Sequence, residues 1–476
     1  PSRPMKLIAR QKIWLSIVLV TNVLLWIIPS DVVAEIARGR ETLLGRYSRV
    51  HFHWNVGVGF LSLVSLYIDW ATGDRYKRRW FQVIAAVVFL APSLAAIDFL
   101  ARTPDRLHYV RDSAAFHHTP NATYAQVYED KAPTFRTFPG APPGYGRVDC
   151  TLRTDRRGFR NQTSLESYDV VVLGDSFAEG SSVSDEHAWP RILAERSGLT
   201  VYNLGMSGYD PFQYLASLTE IGLSLKPRMV LCLLYEGNDF RSTKSDEKRQ
   251  HPDFGDRFAE YMKQSPLLDV VDRSLIRTFG PIRAGAPLAN SAVISWLPLT
   301  IPEGALGRRY AFEPKQLMDL YQTKDQFSLD KHWLNPRRQL GEMYEKCAGV
   351  GARLVVVYAP TKAHVTLPLA ADRLPVDNVR RFAALGVKQE LPEAATFLRN
   401  LRDRIEAKEE VVGEWSRQEG VAFVSLTPAL REAVARGVQA YYTYDQHWTP
   451  DGHSVVADVM VDALRLTTES AFSDGR

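Results

Sequence analysis

The sequence has few cysteines and little net charge, and each of these shortages excludes a class of site or partner. Its three cysteines are odd in number and none lies in a CxxC spacing, so neither a disulfide framework nor a cysteine zinc site is indicated. A net charge of +4 over 476 residues is too small to indicate a nucleic-acid partner. No compact basic run with interleaved aromatics occurs outside the flanks of the apolar segments, so we expect no nucleic-acid partner.

The first hundred residues differ from the rest because they carry long apolar runs. These runs cover residues 13–28, 54–70 and 80–100, and the second and third have aromatic residues at their ends. Runs of this length can cross a bilayer as helices, and aromatic ends are typical of the membrane interface. We therefore predict that residues 1–101 form a transmembrane region with about three helices, and that a lipid bilayer is a partner of this protein.

Basic residues around these runs predict the side of the membrane on which each loop lies. Four precede the first run, namely Arg3, Lys6, Arg10 and Lys12. The loop 74–79 contains four more basic residues and a single acidic one, whereas the numbers of basic and acidic residues in the loop 30–53 are closer to equal. The positive-inside rule then places the N-terminus and loop 74–79 in the cytoplasm and everything after residue 101 outside it. We predict a multi-pass protein of the inner (plasma) membrane with an extracytoplasmic C-terminal domain.

Two alternatives to this topology stay open. The first run could be a signal peptide, although it is long and no Ala-x-Ala-like cleavage site follows it. The second run contains Gly57, Gly59 and several serines and could be a buried helix. That interpretation would place the large domain on the other side of the membrane.

The remaining chain is predicted to consist of a linker and one α/β domain. Residues 102–161 are irregular and rich in proline, and we expect residues 154–160 at the end of this linker to lie against the next domain. The domain covers residues 162–470. Short apolar runs alternate there with segments of helical spacing, and tight hairpin signals are lacking. The segment at about 240–330 breaks this alternation and is too long for an ordinary connection, so it is predicted to be an inserted cap or lid.

The alternation itself predicts the fold class. The predicted strands cover residues 168–173, 200–205, 229–235, 353–358 and 421–426. The predicted helices cover residues 189–197, 211–225, a segment ending near 348, 393–417 and a last segment reaching about 464. Strands that alternate with helices indicate a parallel sheet with helices on both faces. We predict an α/β fold with a doubly wound, three-layer α/β/α architecture, preceded by the α-helical transmembrane region.

Polar residues gather where four of the predicted strands end, and open α/β sheets bind their ligands at that edge. A serine hydroxyl is a weak nucleophile until an imidazole removes its proton, and the imidazole needs an acceptor that holds its tautomer. Ser176, His447 and Asp445 have the residue types for these three roles. Acyl transfer also needs donors for the oxyanion, and we expect them from the Ser176 amide, the Gly205 amide and the Asn238 side chain.

Each of these assignments has a structural alternative. His453 competes with His447 as the base, but Thr449 and Pro450 form a helix N-cap and first turn that would place His453 inside a helix. Structural roles are also open for the other motifs: a turn at Asn203 and Gly205, a solvated strand end at Asn238 and Asp239, a helix cap at Gly174-Asp175-Ser176, and a surface or loop-anchoring role for Lys362.

The ordered motifs resemble the SGNH hydrolase superfamily, the GDSL esterases and lipases, in its membrane-anchored bacterial type. The matching blocks are Gly174-Asp175-Ser176, Gly205, Asn238-Asp239 and Asp445 with His447, and the resemblance covers residues 153–464 apart from the insertion. It implies a flavodoxin-like parallel sheet.

Two departures from the family pattern are visible. Glu236 stands where the third block usually has glycine, and the Asp445-His447 spacing is one residue shorter than usual. The short spacing, the following Trp448 and Pro360-Thr361-Lys362 are distantly similar to alginate O-acetylation proteins, which place their Asp-His pair before the serine.

The resemblance and the motifs together predict a serine-dependent esterase or O-acyltransferase. We expect it to act on O-acyl groups, with acetyl favoured, of an envelope glycan, and to use no metal and no cofactor. A transferase would need a membrane protein that supplies the acyl donor. The alternatives are a lipid or thioester hydrolase and a non-catalytic glycan-binding or scaffold protein of an export complex.

Overall fold

The structure is a computed structural model that describes most of the chain. The described residues are 9–28, 43–44, 46–70, 74–101, 109–110, 114–130, 143–162, 165–241, 265–279, 297–301, 308–370, 376–384, 387 and 389–473. Most of the predicted loop 30–53 and parts of the predicted linker and insertion lie outside these residues, namely 30–42, 102–108, 111–113, 131–142, 242–264, 280–296 and 302–307.

After the first hundred residues the described elements include both helices and strands. The helices are α1 (Ala9–Ile27), α2 (Arg49–Asp69), α3 (Asp74–Ala101), α4 (Ser176–Glu179), α5 (Trp189–Ser197), α6 (Pro211–Glu220), α7 (Pro266–Phe279), α8 (Pro314–Asp319), α9 (Lys324–Ser328), α10 (Lys331–Gly349), α11 (Lys362–Ala370), α12 (Val376–Ala384), α13 (Ala394–Arg404), α14 (Ala407–Glu419), α15 (Thr427–Ala435) and α16 (Pro450–Ser473). The strands are β1 (Tyr109–Val110), β2 (His117–His118), β3 (Thr123–Asp130), β4 (Gly146–Arg153), β5 (Val170–Leu173), β6 (Val201–Asn203), β7 (Met229–Tyr235), β8 (Leu297–Ile301), β9 (Arg308–Phe312), β10 (Arg353–Ala359) and β11 (Ala422–Ser425).

The chain divides into two compact units. The first contains residues 1–104 and 253–286, and the second contains residues 105–252 and 287–476. Part of the predicted insertion, including α7, therefore belongs to the unit that holds the three apolar runs.

The first unit places each predicted apolar run in a helix, α1, α2 or α3. Asn22 on α1 donates a side-chain hydrogen bond to Ser62 Oγ on α2 at 3.0 Å. Ser265 precedes α7 and donates to Asp98 on α3 at 2.5 Å. Among the described helices, α3 is the one that is both long and apolar enough to cross a membrane by length and composition, and α1 carries a shorter apolar stretch.

The second unit is built on a five-stranded sheet in the order β11-β10-β7-β5-β6, in which every neighbouring pair is parallel. This is the doubly wound, flavodoxin-like order, and it confirms the predicted fold class. Alternate residues of β5 show why the run is uniformly apolar. Val170 and Val172 lie in one buried cluster, whereas Val171 and Leu173 lie in another. Because successive side chains point to opposite faces, helices must cover both faces of the sheet.

Most predicted elements of this unit are present, with shifted ends. The strand predicted at 200–205 is shorter, and the helix predicted at 211–225 ends at Glu220, before a 3-10 turn over Gly222–Leu225. The long polar helix predicted at 393–417 is two helices, α13 and α14. The side chain of Glu406, at their junction, accepts a hydrogen bond from Arg431 at 2.7 Å.

The segment predicted as an irregular linker contains regular structure. Strands β3 and β4 pair antiparallel along their whole length, from Thr123 opposite Arg153 to Asp130 opposite Gly146. Most side chains of β3 are exposed, so the strand lacks the apolar alternation from which it could have been predicted. As expected, residues 154–160 lie against the α/β domain, where Asp155 accepts a hydrogen bond from the Tyr202 hydroxyl at 2.5 Å.

Candidate active site

Ser176 lies at the turn between strand β5 and helix α4. Asp175 is the N-cap residue of this helix, and its side chain accepts a hydrogen bond from the Phe177 N–H at 2.9 Å. A Cβ atom on Gly174 would lie 2.5 Å from Ala178 Cβ, so the turn requires a glycine at this position. The serine is therefore the first residue of its helix and lies at the carboxyl edge of the sheet.

The structure brings together the three residues that the sequence singled out for nucleophilic chemistry. His447 Nε2 lies 2.7 Å from Ser176 Oγ, and His447 Nδ1 lies 2.6 Å from Asp445 Oδ1. The same Asp445 oxygen accepts the His447 backbone N–H at 2.9 Å, so the chain turns tightly between the two residues. The shortened Asp-x-His spacing is thus compatible with a continuous serine-histidine-aspartate arrangement.

The electrostatics of this group suit a general base. Burial of the His447 ring disfavours its charged form, but the charge of Asp445 and the hydrogen bond to it outweigh burial and raise the His447 pKa. Burial acts against the Asp445 carboxylate as well, but the charge of His447 and hydrogen bonds from it hold the Asp445 pKa well below its usual range. The aspartate therefore stays ionised and stabilises the imidazolium that forms when His447 accepts a proton.

The competing histidine lies in a different environment. Thr449 Oγ1 accepts the Gly452 N–H at 3.1 Å, and helix α16 begins at Pro450, as the sequence predicted. His453 is consequently inside the helix and buried, and its Nδ1 accepts the Trp189 N–H at 3.4 Å. Burial lowers the pKa of His453 well below its usual value, so this ring is a neutral core residue.

The predicted oxyanion donors are only partly gathered. The Ser176 N–H is at the first position of α4, where a helix provides no intrahelical acceptor, and Asn238 lines the same cavity as Ser176. The Gly205 N–H instead donates to Asn203 Oδ1 at 2.8 Å. A Cβ atom on Gly205 would lie 2.6 Å from the Glu179 backbone nitrogen, so this glycine permits close packing of its loop against α4.

Asp239 is not a solvated strand end. It is buried, and its carboxylate accepts hydrogen bonds from the Tyr214 hydroxyl at 2.8 Å and from the Tyr235 N–H at 2.7 Å. Burial raises the pKa of Asp239 well above its usual value. These contacts fix the loop that carries Asn238.

Glu236, which replaces the usual glycine, is completely buried in an ion-pair network. One carboxylate oxygen accepts the Thr361 N–H and hydroxyl, both at 2.8 Å, and the other lies 3.0 Å from His364 Nδ1. His364 Nε2 lies 2.8 Å from Glu406. Burial disfavours the charged imidazole, but these carboxylates outweigh burial and raise the His364 pKa to about 10. The network joins the end of β7 to the turn after β10.

His364, Glu406 and Glu409 have ligand atoms within 4.8 Å of one another, a spacing that a metal ion could use. Glu406 already accepts hydrogen bonds from His364 and Arg431, and Glu409 accepts one from Thr427 at 2.5 Å. We therefore interpret the group as part of the ion-pair network.

Lys362 is completely buried, so the surface interpretation of this residue is wrong. Its Nζ donates to three backbone carbonyl groups of the loop that carries Asp445, those of Tyr442 at 3.1 Å, Thr443 at 2.8 Å and Asp445 at 2.9 Å. Burial lowers the pKa of Lys362 to about 7. The lysine anchors the loop, which is the other of the two structural roles that the sequence left open for it.

Two residues that touch the site were missed by sequence reasoning. Tyr128 and Asp130, on β3, contact the Asp445 loop from the segment predicted to be a linker. They are more than three hundred residues from this loop in the sequence, and no motif surrounds them, so no signal in a single sequence could have placed them there.

Ser176 and His447 open onto a cavity of about 370 Å³. Its wall contains the polar or charged side chains of Asn238, Arg241, Glu313, Lys315, Asp319 and Gln446, together with the aromatic rings of Phe177 and Tyr235. Arg241 and Asp319 form an ion pair with each other. The arrangement can hold a polar substrate of moderate size against the Ser176 hydroxyl.

Comparison with known proteins gives one family. Residues 172–455 match the profile of the GDSL-like lipase/acylhydrolase family, which is more than half of the chain. No curated protein sequence matches the chain significantly.

Solved structures resemble the chain only remotely. A lipolytic protein of the G-D-S-L family from Desulfitobacterium hafniense is 11% identical, with 62% of this chain and 97% of that chain covered and a TM-score of 0.30. An acetylxylan esterase from Geobacillus stearothermophilus is 12% identical, with 63% and 95% covered and a TM-score of 0.30. The protein TesA is 15% identical, with 62% and 97% covered and a TM-score of 0.29.

Proposed function

Because the chain belongs to the GDSL-like lipase/acylhydrolase (SGNH) family, we propose that it is a serine-dependent esterase or O-acyltransferase in which Ser176 is the nucleophile. One observation carries this proposal: the unbroken contacts from Ser176 Oγ to His447 at 2.7 Å and from His447 to Asp445 at 2.6 Å, beside an open cavity. A non-catalytic scaffold or glycan-binding protein would not need this arrangement.

The geometry supports a two-step acyl transfer. His447 Nε2 accepts the Ser176 proton while Oγ bonds to the carbonyl carbon of the ester, which gives a tetrahedral oxyanion. Collapse of this intermediate breaks the bond to the leaving alcohol, which takes the proton from His447 and leaves an acyl group on Ser176. Water or a sugar hydroxyl, deprotonated by His447, then attacks the acyl group and restores the serine.

The oxyanion donors follow from the loop geometry. Of the predicted oxyanion donors, the Ser176 N–H and the Asn238 side-chain amide belong to residues that border the cavity. The Asn238 amide makes a long contact elsewhere, to Asp239 Oδ1 at 3.5 Å. The Gly205 N–H can join them only if it gives up its bond to Asn203 Oδ1. We therefore assign the main stabilisation of the oxyanion to Ser176 and Asn238.

We further propose an O-acyl substrate, with acetyl favoured, on an envelope glycan. The mixed charges and amide groups around the cavity suit a hydroxyl-rich substrate better than an alkyl chain. A lipid or thioester hydrolase is the second candidate, which Phe177 and Tyr235 favour because their rings form an apolar part of the wall. The distant similarity to alginate O-acetylation proteins stays a prediction.

The proposed site of action is the inner membrane. The apolar side chains of α3 are mostly exposed, as a lipid environment would require, and α1 and α2 also expose large apolar residues such as Ile13, Trp54 and Phe60. We propose that these helices anchor the protein and that its α/β domain is extracytoplasmic. A reporter fused to the C-terminus that is active only in the cytoplasm would overturn this topology.

The chemistry is tested with the full chain in detergent. We expect hydrolysis of p-nitrophenyl acetate that Ser176→Ala abolishes and that Ser224→Ala, at an exposed serine, leaves unchanged. Equal rates in the wild type and Ser176→Ala would refute the nucleophile. Rates that rise from acetate to longer acyl chains would favour the lipid hydrolase. With an acetyl ester and an added glycan, acetyl found on the sugar would identify a transferase.

A further inference from the structure

We propose that Tyr128 and Asp130 are positioning residues of the active site, supplied by the antiparallel β3–β4 pair to hold Asp445 in line with His447. The inference rests on the proposed function, because it assumes that Asp445 orients the histidine that activates Ser176. Both residues lie before the segment that matches the family profile, which begins at residue 172. The family match therefore does not include them.

Tyr128 completes the hydrogen bonding of the Asp445 carboxylate. Its hydroxyl donates to Asp445 Oδ2 at 2.7 Å, while Oδ1 receives the ring and the backbone N–H of His447 at 2.6 and 2.9 Å. A carboxylate bound through one oxygen alone can rotate about its Cβ–Cγ bond. The tyrosine removes this freedom, because both oxygens now have fixed donors.

The Tyr128 side chain is itself held in place. Its ring packs against that of Tyr442 with the ring centroids 4.8 Å apart, and the Tyr442 hydroxyl donates to the Ser182 carbonyl at 2.6 Å. Tyr442 therefore links β3, the Asp445 loop and the segment after α4. This packing fixes the orientation of the Tyr128 ring, so its hydroxyl is held within hydrogen-bonding distance of Asp445.

Asp130 holds the backbone of the same loop. The residue is 4% exposed, and its carboxylate accepts the N–H groups of Thr443 at 2.7 Å, Tyr444 at 3.1 Å and Asp445 at 3.3 Å. Lys362 binds carbonyl groups of this loop, as described above. The buried Asp130 thus accepts from N–H groups of the loop, and the buried Lys362 donates to its carbonyl groups. Together they fix a segment that contains no helix or strand.

The test uses Tyr128→Phe in the full chain, because this change removes one hydroxyl and keeps the ring. Tyr124→Phe, on the same face of the same strand, is the matched control. We expect Tyr128→Phe to lower kcat for an acetyl ester by roughly ten- to a hundredfold, the range of one hydrogen bond to a charged group, with KM little changed. Asp130→Asn should also lower kcat, since its amide N–H would face backbone donors.

A double-mutant cycle separates positioning from a structural role. If Tyr128 acts through Asp445, Tyr128→Phe should have no further effect on kcat when Asp445 is already alanine. An equal loss of kcat in both backgrounds, or no loss in the wild-type background, would overturn the inference. Failure of the proposed function is recognised separately, because the activity of the wild type would then persist in Ser176→Ala.

Discussion

Replacement of His364 by glutamine should weaken the second unit in a manner that depends on pH. The wild-type imidazole lies between Glu236 and Glu406 and has a pKa of about 10, compared with 6.5 for an ordinary histidine. The folded state therefore binds the His364 proton more tightly than the unfolded state does. This stabilisation is fully present below pH 6.5 and is lost as the pH rises through about 10.

The size of the effect follows from the burial of the pair. Removal of one partner leaves the Glu236 carboxylate buried without its cationic neighbour, which typically costs about 3–5 kcal/mol. The rise of the His364 pKa from 6.5 to about 10 corresponds to a similar free energy, roughly 5 kcal/mol at most. For a unit of roughly 340 residues, each kcal/mol is worth roughly 1–2 °C in melting temperature.

The assay is thermal unfolding of the full chain between pH 6 and pH 10, followed by tryptophan fluorescence. We expect His364→Gln to melt several degrees below the wild type at neutral pH, and the gap to narrow as the pH approaches 10. His332→Gln, at a partly exposed histidine on α10, is the control for the loss of a histidine in general. A gap that stays constant over this pH range would refute the charged state assigned to His364.

Three further predictions concern the reaction. Asp445→Asn should lower kcat by about 10⁴-fold at nearly constant KM, because the asparagine would stabilise the wrong tautomer of His447; a loss below tenfold in steady-state assays would contradict this role. In a pH profile, kcat/KM should fall as the pH drops through the His447 pKa, which lies above the usual 6.5, because a protonated imidazole cannot accept the Ser176 proton. A midpoint of this fall below pH 6.5 would contradict the pairing of His447 with Asp445. Gly205→Ala should lower both the melting temperature and kcat, since its Cβ would lie 2.6 Å from the Glu179 nitrogen; an unchanged melting temperature would show that the loop can move.

The sheet and the proximity of Ser176, His447 and Asp445 could be predicted because they depend on local patterns. The apolar run before Ser176 marks a strand buried on both faces, and the polar residues after it lie at the edge where such sheets bind ligands. Thr449 and Pro450 mark a helix start, which separated His447 from His453. These signals need only a few neighbouring residues each.

The supports of the site could not be predicted because they depend on long-range contacts. Tyr128 and Asp130 lie on a strand with few buried side chains, and their partners are more than three hundred residues away. Glu236 appeared to be only a departure from a motif, since its partner His364 is 128 residues further along the chain. The hydrogen bond from the Gly205 N–H to Asn203 Oδ1 likewise depends on the orientation of the Asn203 side chain, which the spacing of residues in the sequence does not reveal.

The central claim is that Ser176 carries the acyl group during turnover. The most direct measurement is to mix the full chain with p-nitrophenyl acetate, quench with acid at early times, and locate the added acetyl group by peptide mass spectrometry. We predict acetylation of Ser176 in the wild type and none at this peptide in Ser176→Ala. Turnover of the ester with no acetyl on Ser176, or with acetyl on a different residue that supports the same rate, would contradict the account.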